Sequence, residues 1–112
     1  MAARAADDKK AIETVVLDVS NTLVITDLFV IASAMNTRLV ASIADEVEKA
    51  VKEAGAPGPI AVEGLREANW VLMDFGGFVV HVFLDEARRF YDLERLWIDA
   101  PRIAWEMAVA RV

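Results

Sequence analysis

Apolar positions along the chain change period several times, and each change marks an element. Val15-Val16-Leu17-Asp18-Val19 is β-branched and apolar, which predicts a strand ending in the turn chemistry of Ser20-Asn21. Leu28-Phe29-Val30-Ile31-Ala32-Ser33 is apolar at both odd and even positions, as in an interior strand covered on both faces. Leu39, Val40, Ile43, Val47, Ala50, Val51 and Ala54 then recur at helical spacing, with Asp45, Glu46, Glu48, Lys49, Lys52 and Glu53 filling most of the rest. Asn36 or Thr37 caps this helix, Gly55 sits at its left-handed stop, and Pro57 and Pro59 prevent its continuation.

The remaining elements are shorter. Residues 4 to 13 read as an exposed first helix, and Ile60 to Glu63 as an edge strand. Trp70 to Phe75 and Phe78 to Leu84 are two strands joined at Gly76-Gly77, a hairpin signal. Asp85 caps a helix carrying Ala87, Phe90, Tyr91 and Leu93. Leu96-Trp97-Ile98 closes the fold, and Arg102 to Ala110 reads as a last helix after Pro101. The order α-β-β-α-(β)-β-β-α predicts an α/β fold, a mixed β-sheet with helices packed on it.

A chain of 112 residues with 56% hydrophobic side chains fits a single domain with its own core. The absence of cysteine excludes disulfides, thiol catalysis and thiolate metal sites. The apolar stretch from Leu23 to Met35 contains Asp27 and falls short of the roughly 20 residues a bilayer needs, so a soluble intracellular protein is expected, with no membrane partner. Eighteen acidic against twelve basic residues give a net charge of −6, which repels phosphate backbones and either draws the chain towards a basic protein or serves solubility alone.

No constellation for chemistry emerges. Asp74-Phe75-Gly76 spells the magnesium motif of kinases, but the glycine-rich loop, strand lysine and catalytic loop that motif works with are missing. His81 is the only histidine and lies in an apolar strand beside Val79 and Phe83, which makes it a packed or hydrogen-bonded core residue. Ser20, Ser33 and Ser42 lack a nucleophile elbow, and no phosphate-binding glycine loop is present. Neither a cofactor nor a metal is expected, and the chain reads as a non-enzyme. Aromatic and acidic residues do interleave in the second half, a composition suited to a protein-binding hot spot. Phe29, Phe83 and Phe90 are expected in the core, and Trp70, Phe75 and Tyr91 on the surface.

The motifs taken together resemble one family. Val16-Leu17-Asp18-Val19-Ser20, Ile25 to Ser33, Arg38 and Ile43 to Glu48 are similar to the first half of the Iojap-like, or ribosomal silencing factor (RsfS), family. Glu63-Gly64, Trp70 to Gly76, Val79 to Phe83, Glu86 and Arg88 to Trp97 follow in the order of its second half. The likeness spans roughly residues 12 to 101 and leaves Arg102 to Val112 as an extension of the single domain. Leu28, Ala34, Met35 and Gly77 depart from the usual pattern.

The resemblance implies a nucleotidyltransferase-like sheet without transferase activity. It further implies that the chain binds ribosomal protein fourteen of the large ribosomal subunit and blocks joining of the small subunit, repressing translation when nutrients run short. Carried over residue by residue, the ribosome-facing surface comprises Trp70, Asp74, Phe75, Tyr91, Leu93 and Glu94, in a bacterial cytoplasm or an organellar matrix. Two other readings stay open: a small nucleotide-binding enzyme on the same fold, or a plain dimerisation module that uses the apolar tail.

Overall fold

A computed structural model describes residues 2–9, 11–20, 26–91 and 101–103. The elements run α1 (Ala2–Asp8), β1 (Ile12–Asp18), β2 (Leu28–Ala34), α2 (Thr37–Glu53), β3 (Ala61–Glu63), β4 (Trp70–Asp74), β5 (Phe78–Leu84) and α3 (Asp85–Tyr91). This is the order expected from the apolar pattern.

The five strands form one mixed sheet in the order β1-β2-β5-β4-β3. β1 lies antiparallel to β2, β2 parallel to β5, and β4 antiparallel to both β5 and β3. The parallel pair requires a long crossover, which α2, β3 and β4 supply. β2 is interior and its residues from Phe29 to Ala34 are all buried, as a strand covered on both faces requires.

Helix α2 buries Val40, Ile43, Ala44, Val47 and Val51 against one face of the sheet. Its start is fixed by Asn36, whose side chain accepts a hydrogen bond from the Leu39 amide at 2.8 Å. Its end is a Schellman motif. Gly55, at φ +87°, donates to the Lys52 carbonyl (3.0 Å), and Ala56 donates to that of Val51 (3.2 Å).

The first helix departs from expectation in place and environment. It starts at Ala2, ends at Asp8, and buries Ala2, Ala3, Ala5 and Ala6 in the same core as α2. Four alanines have too little apolar area to register as a stripe, yet their small side chains let the helix backbone approach closely. The residues expected at its end instead begin β1, which carries a bulge between Ile12 and Val15 and a left-handed Glu13 at φ +48°. β1 closes as expected in a turn, where the Asp18 carboxylate accepts from the Ser20 amide (3.0 Å) and hydroxyl (2.6 Å).

Residues 102 and 103 do not open a helix. They lie along the outer edge of β1, where Asp18 donates to the Pro101 carbonyl (2.8 Å) and Ile103 to that of Val16 (2.9 Å). This pairing covers an edge that would otherwise be a template for aggregation. Leu96-Trp97-Ile98 and the tail from residue 104 lie outside the described residues.

The helix-covered face of the sheet carries Val16, Val30, Ala32, Val71, Met73, Val80 and Val82. The opposite face carries a smaller cluster of Leu17, Val19, Phe29, Ile31 and Phe83, flanked by Val15, Trp70 and Val79. Of the aromatic residues singled out above, Phe29, Phe83 and Trp70 belong to this second face.

Candidate functional site

Strand β4 places the candidate residues by simple alternation. Val71 and Met73 point into the helix-covered core, while Trp70, Leu72 and Asp74 point to the other face and stay half-buried. Their cross-strand partners on β5 are Phe83, His81 and Val79. On the far side, β3 sets Glu63 opposite Leu72 and Ala61 opposite Asp74, both exposed. An apolar strip of Trp70 and Leu72 thus runs between the buried aromatic cluster and two carboxylates at the open edge.

Trp70 is held in a defined pose. Its ring stacks on Phe83 with centroids 4.9 Å apart and planes 27° apart. Its indole Nε1–H donates to Nδ1 of His81 at 3.1 Å. The expectation of a surface tryptophan is thereby modified: one side of the indole rests in the core and part remains open to solvent.

His81 fulfils the packed-histidine expectation. It is 4% exposed and meets Phe29 edge-on, ring centroids 4.7 Å apart. Burial pushes its pKa from 6.5 down to about 4, because an imidazolium would lose its hydration without gaining an acidic partner. The neutral ring accepts at Nδ1, which assigns its proton to Nε2. Among the described residues Nε2 has no hydrogen-bond partner.

Asp74 and Phe75 turn out to be hairpin residues. One Asp74 carboxylate oxygen accepts from the Gly76 amide at 2.8 Å, and its carbonyl accepts from Ile60 at 2.7 Å. Phe75 turns to the helix-covered face, where its ring stacks on Phe78 at 4.7 Å and 13°. The Asp-Phe-Gly sequence therefore builds a turn, with Gly76 at φ +91°. Trp70 and Phe75 consequently stand on opposite faces, and the structure does not bring them together.

Helix α3 corrects one expectation. Phe90 is 83% exposed, whereas Phe29 and Phe83 are buried as expected. The inward side of α3 is centred on Arg88, which is 4% exposed and donates through Nη1 to the Ser33 hydroxyl (3.0 Å) and the Glu13 carbonyl (2.9 Å). Two residues on, at 100° per residue, Phe90 falls on the opposite side. No apolar periodicity announces an arginine as the buried position. Tyr91 ends this helix, but its side chain, Leu93 and Glu94 lie outside the described residues.

Leu72 is a surface position that the sequence reading passed over. Its signal was present in the two-residue period linking it to Trp70 and Asp74. Glu63 and Glu86 add exposed acidic groups, and Asp85 pairs with Arg89 at 3.2 Å. Among the described residues, no group of three or more histidines and carboxylates could hold a metal. Nor is any described helix long and apolar enough to cross a membrane.

Comparison with known proteins gives this geometry a context. The profile of a family described as "Ribosomal silencing factor during starvation" matches residues 1–111. A ribosomal silencing factor of Halalkalibacterium halodurans is 39% identical over 98% of this chain and 93% of its own length. One from Bacillus subtilis is 41% identical over 90% and 85%. A mouse protein named for mitochondrial assembly of the ribosomal large subunit is 35% identical over 64% of this chain and 32% of its own. A Chromobacterium violaceum crystal structure superposes with a TM-score of 0.82 at 35% identity, covering 86% of this chain and 79% of that one.

Proposed function

Because the chain belongs to the ribosomal silencing factor family, we propose that it docks through the Trp70–Leu72–Asp74 strip and the end of α3 onto ribosomal protein fourteen of the large subunit. Occupying that surface keeps the small subunit from joining and so represses translation, by steric exclusion and without catalysis. The observation that carries this reading is the half-open face of β4. There a strip runs from an apolar, preorganised Trp70 through Leu72, which faces Glu63, to Asp74 at the far end of the strand, on a chain of net charge −6.

Such a surface suits a basic, partly apolar protein target. The aromatic anchor supplies affinity, and the acidic surround speeds encounter more than it tightens the complex. The acidic charge also favours a protein over the surrounding RNA as the direct contact. Tyr91, Leu93 and Glu94 extend the proposed surface, and Phe90 joins it as an exposed aromatic. This function places the chain beside its ribosome, in the bacterial cytoplasm or an organellar matrix.

Binding to isolated ribosomal protein fourteen and to whole large subunits tests the reading, using wild type, Trp70→Ala and Tyr91→Ala. Saturable binding to both targets, weakened at least tenfold by either substitution, is the expected result. Undiminished binding by both variants would remove this face from the interface.

A further inference from the structure

Trp70 anchors a partner more tightly when its indole is held in one orientation before the partner arrives. A side chain frozen on binding loses rotamer freedom that a preorganised one has already given up. Among the described residues, stacking on Phe83 and the hydrogen bond from Nε1 to Nδ1 of His81 hold this ring. The imidazole is itself immobilised, buried to 4% exposure between the cross-strand neighbours Ile31 and Leu72 and edge-on to Phe29. It meets the Nε1 edge of the indole while remaining buried in the sheet.

We propose that His81 is a positioning residue of the docking face, an internal acceptor that sets the tilt of the Trp70 indole without contacting the partner. The proposal rests on the docking role of Trp70 given above. It explains why a polar side chain occupies the middle of β5, where a phenylalanine would fill the space and bury more apolar area. Only an unprotonated Nδ1 can accept the indole proton, so the device requires a neutral ring.

The electrostatic surroundings meet that requirement. On this face β1 and β2 contribute Val15, Leu17, Phe29, Ile31 and Ser33, none of them ionisable. Arg88 of α3 approaches at Ser33, two residues along β2 from Ile31, the cross-strand partner of His81. Glu63 of β3 and Asp74 of β4 lie towards the open edge beyond Leu72, and neither forms an ion pair with the imidazole.

Two substitutions separate positioning from packing. His81→Phe keeps a ring and removes the acceptor; His81→Asn keeps an acceptor close to the Nδ1 position. The Nε1–H resonance of Trp70, assigned by its loss in Trp70→Phe, should move in His81→Phe and stay near its wild-type position in His81→Asn. In wild type it should titrate with a midpoint near the histidine value of about 4, and in His81→Asn that step should vanish.

Large-subunit affinity at neutral pH should fall by roughly three- to tenfold in His81→Phe, the span of one net hydrogen bond, and recover in His81→Asn. Should His81→Phe fail to fold, the Asn variant and the wild-type titration decide the matter alone. Full affinity in a folded His81→Phe protein, beside weak binding by Trp70→Phe, overturns the positioning role and spares the docking face. No loss in Trp70→Phe, or no binding by wild type, overturns the docking face itself and this proposal with it.

Discussion

Arg88 and Ser33 meet at 3.0 Å across 55 residues of sequence, the guanidinium of α3 reaching the hydroxyl of an interior strand. The same Nη1 also reaches the Glu13 carbonyl in the β1 bulge at 2.9 Å. One buried arginine thus ties α3 to both β1 and β2, and so fixes where the helix delivers Phe90.

Removing this tie should loosen the end of the proposed surface. Arg88→Met retains the apolar stem but forfeits two charge-assisted hydrogen bonds, to the buried Ser33 hydroxyl and the part-buried Glu13 carbonyl. A loss of about 2–4 kcal/mol in urea unfolding is expected, against about 1 kcal/mol for Ser33→Ala. Equal stability of Arg88→Met and wild type would show that the tie contributes nothing.

The buried histidine makes stability depend on pH. Its folded pKa, about 4, lies below the unfolded value of 6.5, so between those values the unfolded chain binds more protons than the folded one. Stability contributed by the neutral ring is complete above pH 6.5, declines as pH falls, and levels off near pH 4. The full difference is about 3 kcal/mol. Unfolding by urea between pH 7.5 and 4.5 should therefore show a steeper decline for wild type than for His81→Asn. Parallel declines would place the imidazole in a wetter site than the one described.

Gly64 is required for its backbone as well as its size. It holds φ +86°, and an added Cβ would overlap the carbonyl oxygen of Trp70. Gly64→Ala must displace the start of β4 and should cost at least about 2 kcal/mol, combining left-handed strain with a clash against backbone. Gly77→Ala, with open space around its Cβ position, serves as the control and should change stability by less than about 1 kcal/mol. Similar losses for the two variants would contradict the close approach.

The two phenylalanines of the β5–α3 segment should behave oppositely. Phe83 is fully buried under Trp70, and Phe83→Ala should cost about 3–5 kcal/mol. Phe90 is 83% exposed, and Phe90→Ser should alter thermal stability by no more than about 1 kcal/mol while weakening large-subunit binding. A large stability loss in Phe90→Ser would restore the core assignment that its helical spacing first implied.

Much of the architecture was legible because apolar periodicity is a direct record of which side chains are buried. The continuous run of β2, the α2 stripe with Asn36 and Gly55 at its ends, and the hairpin at Gly76-Gly77 each combine period with punctuation. The failures have a common cause in atypical buried residues. The alanines of α1 bury little area each, and Arg88 replaces an apolar residue on the inward side of α3. Pairing of Arg102 with the β1 edge is a contact distant in sequence, which no local pattern encodes. At the site, Trp70 and Asp74 were carried over from the family resemblance, but which face each residue of β4 occupies followed only from register. That register separated Phe75 from Trp70 and added Leu72.

The central claim is that the face around Trp70 excludes the small subunit from the large one. Purified small and large subunits mixed at joining magnesium concentrations, with and without excess protein, test it on a sucrose gradient. The expected result is persistence of free subunits, with the protein co-migrating on the large one, and restored joining with Trp70→Ala. Full assembly into joined ribosomes while wild-type protein remains bound to the large subunit would contradict it.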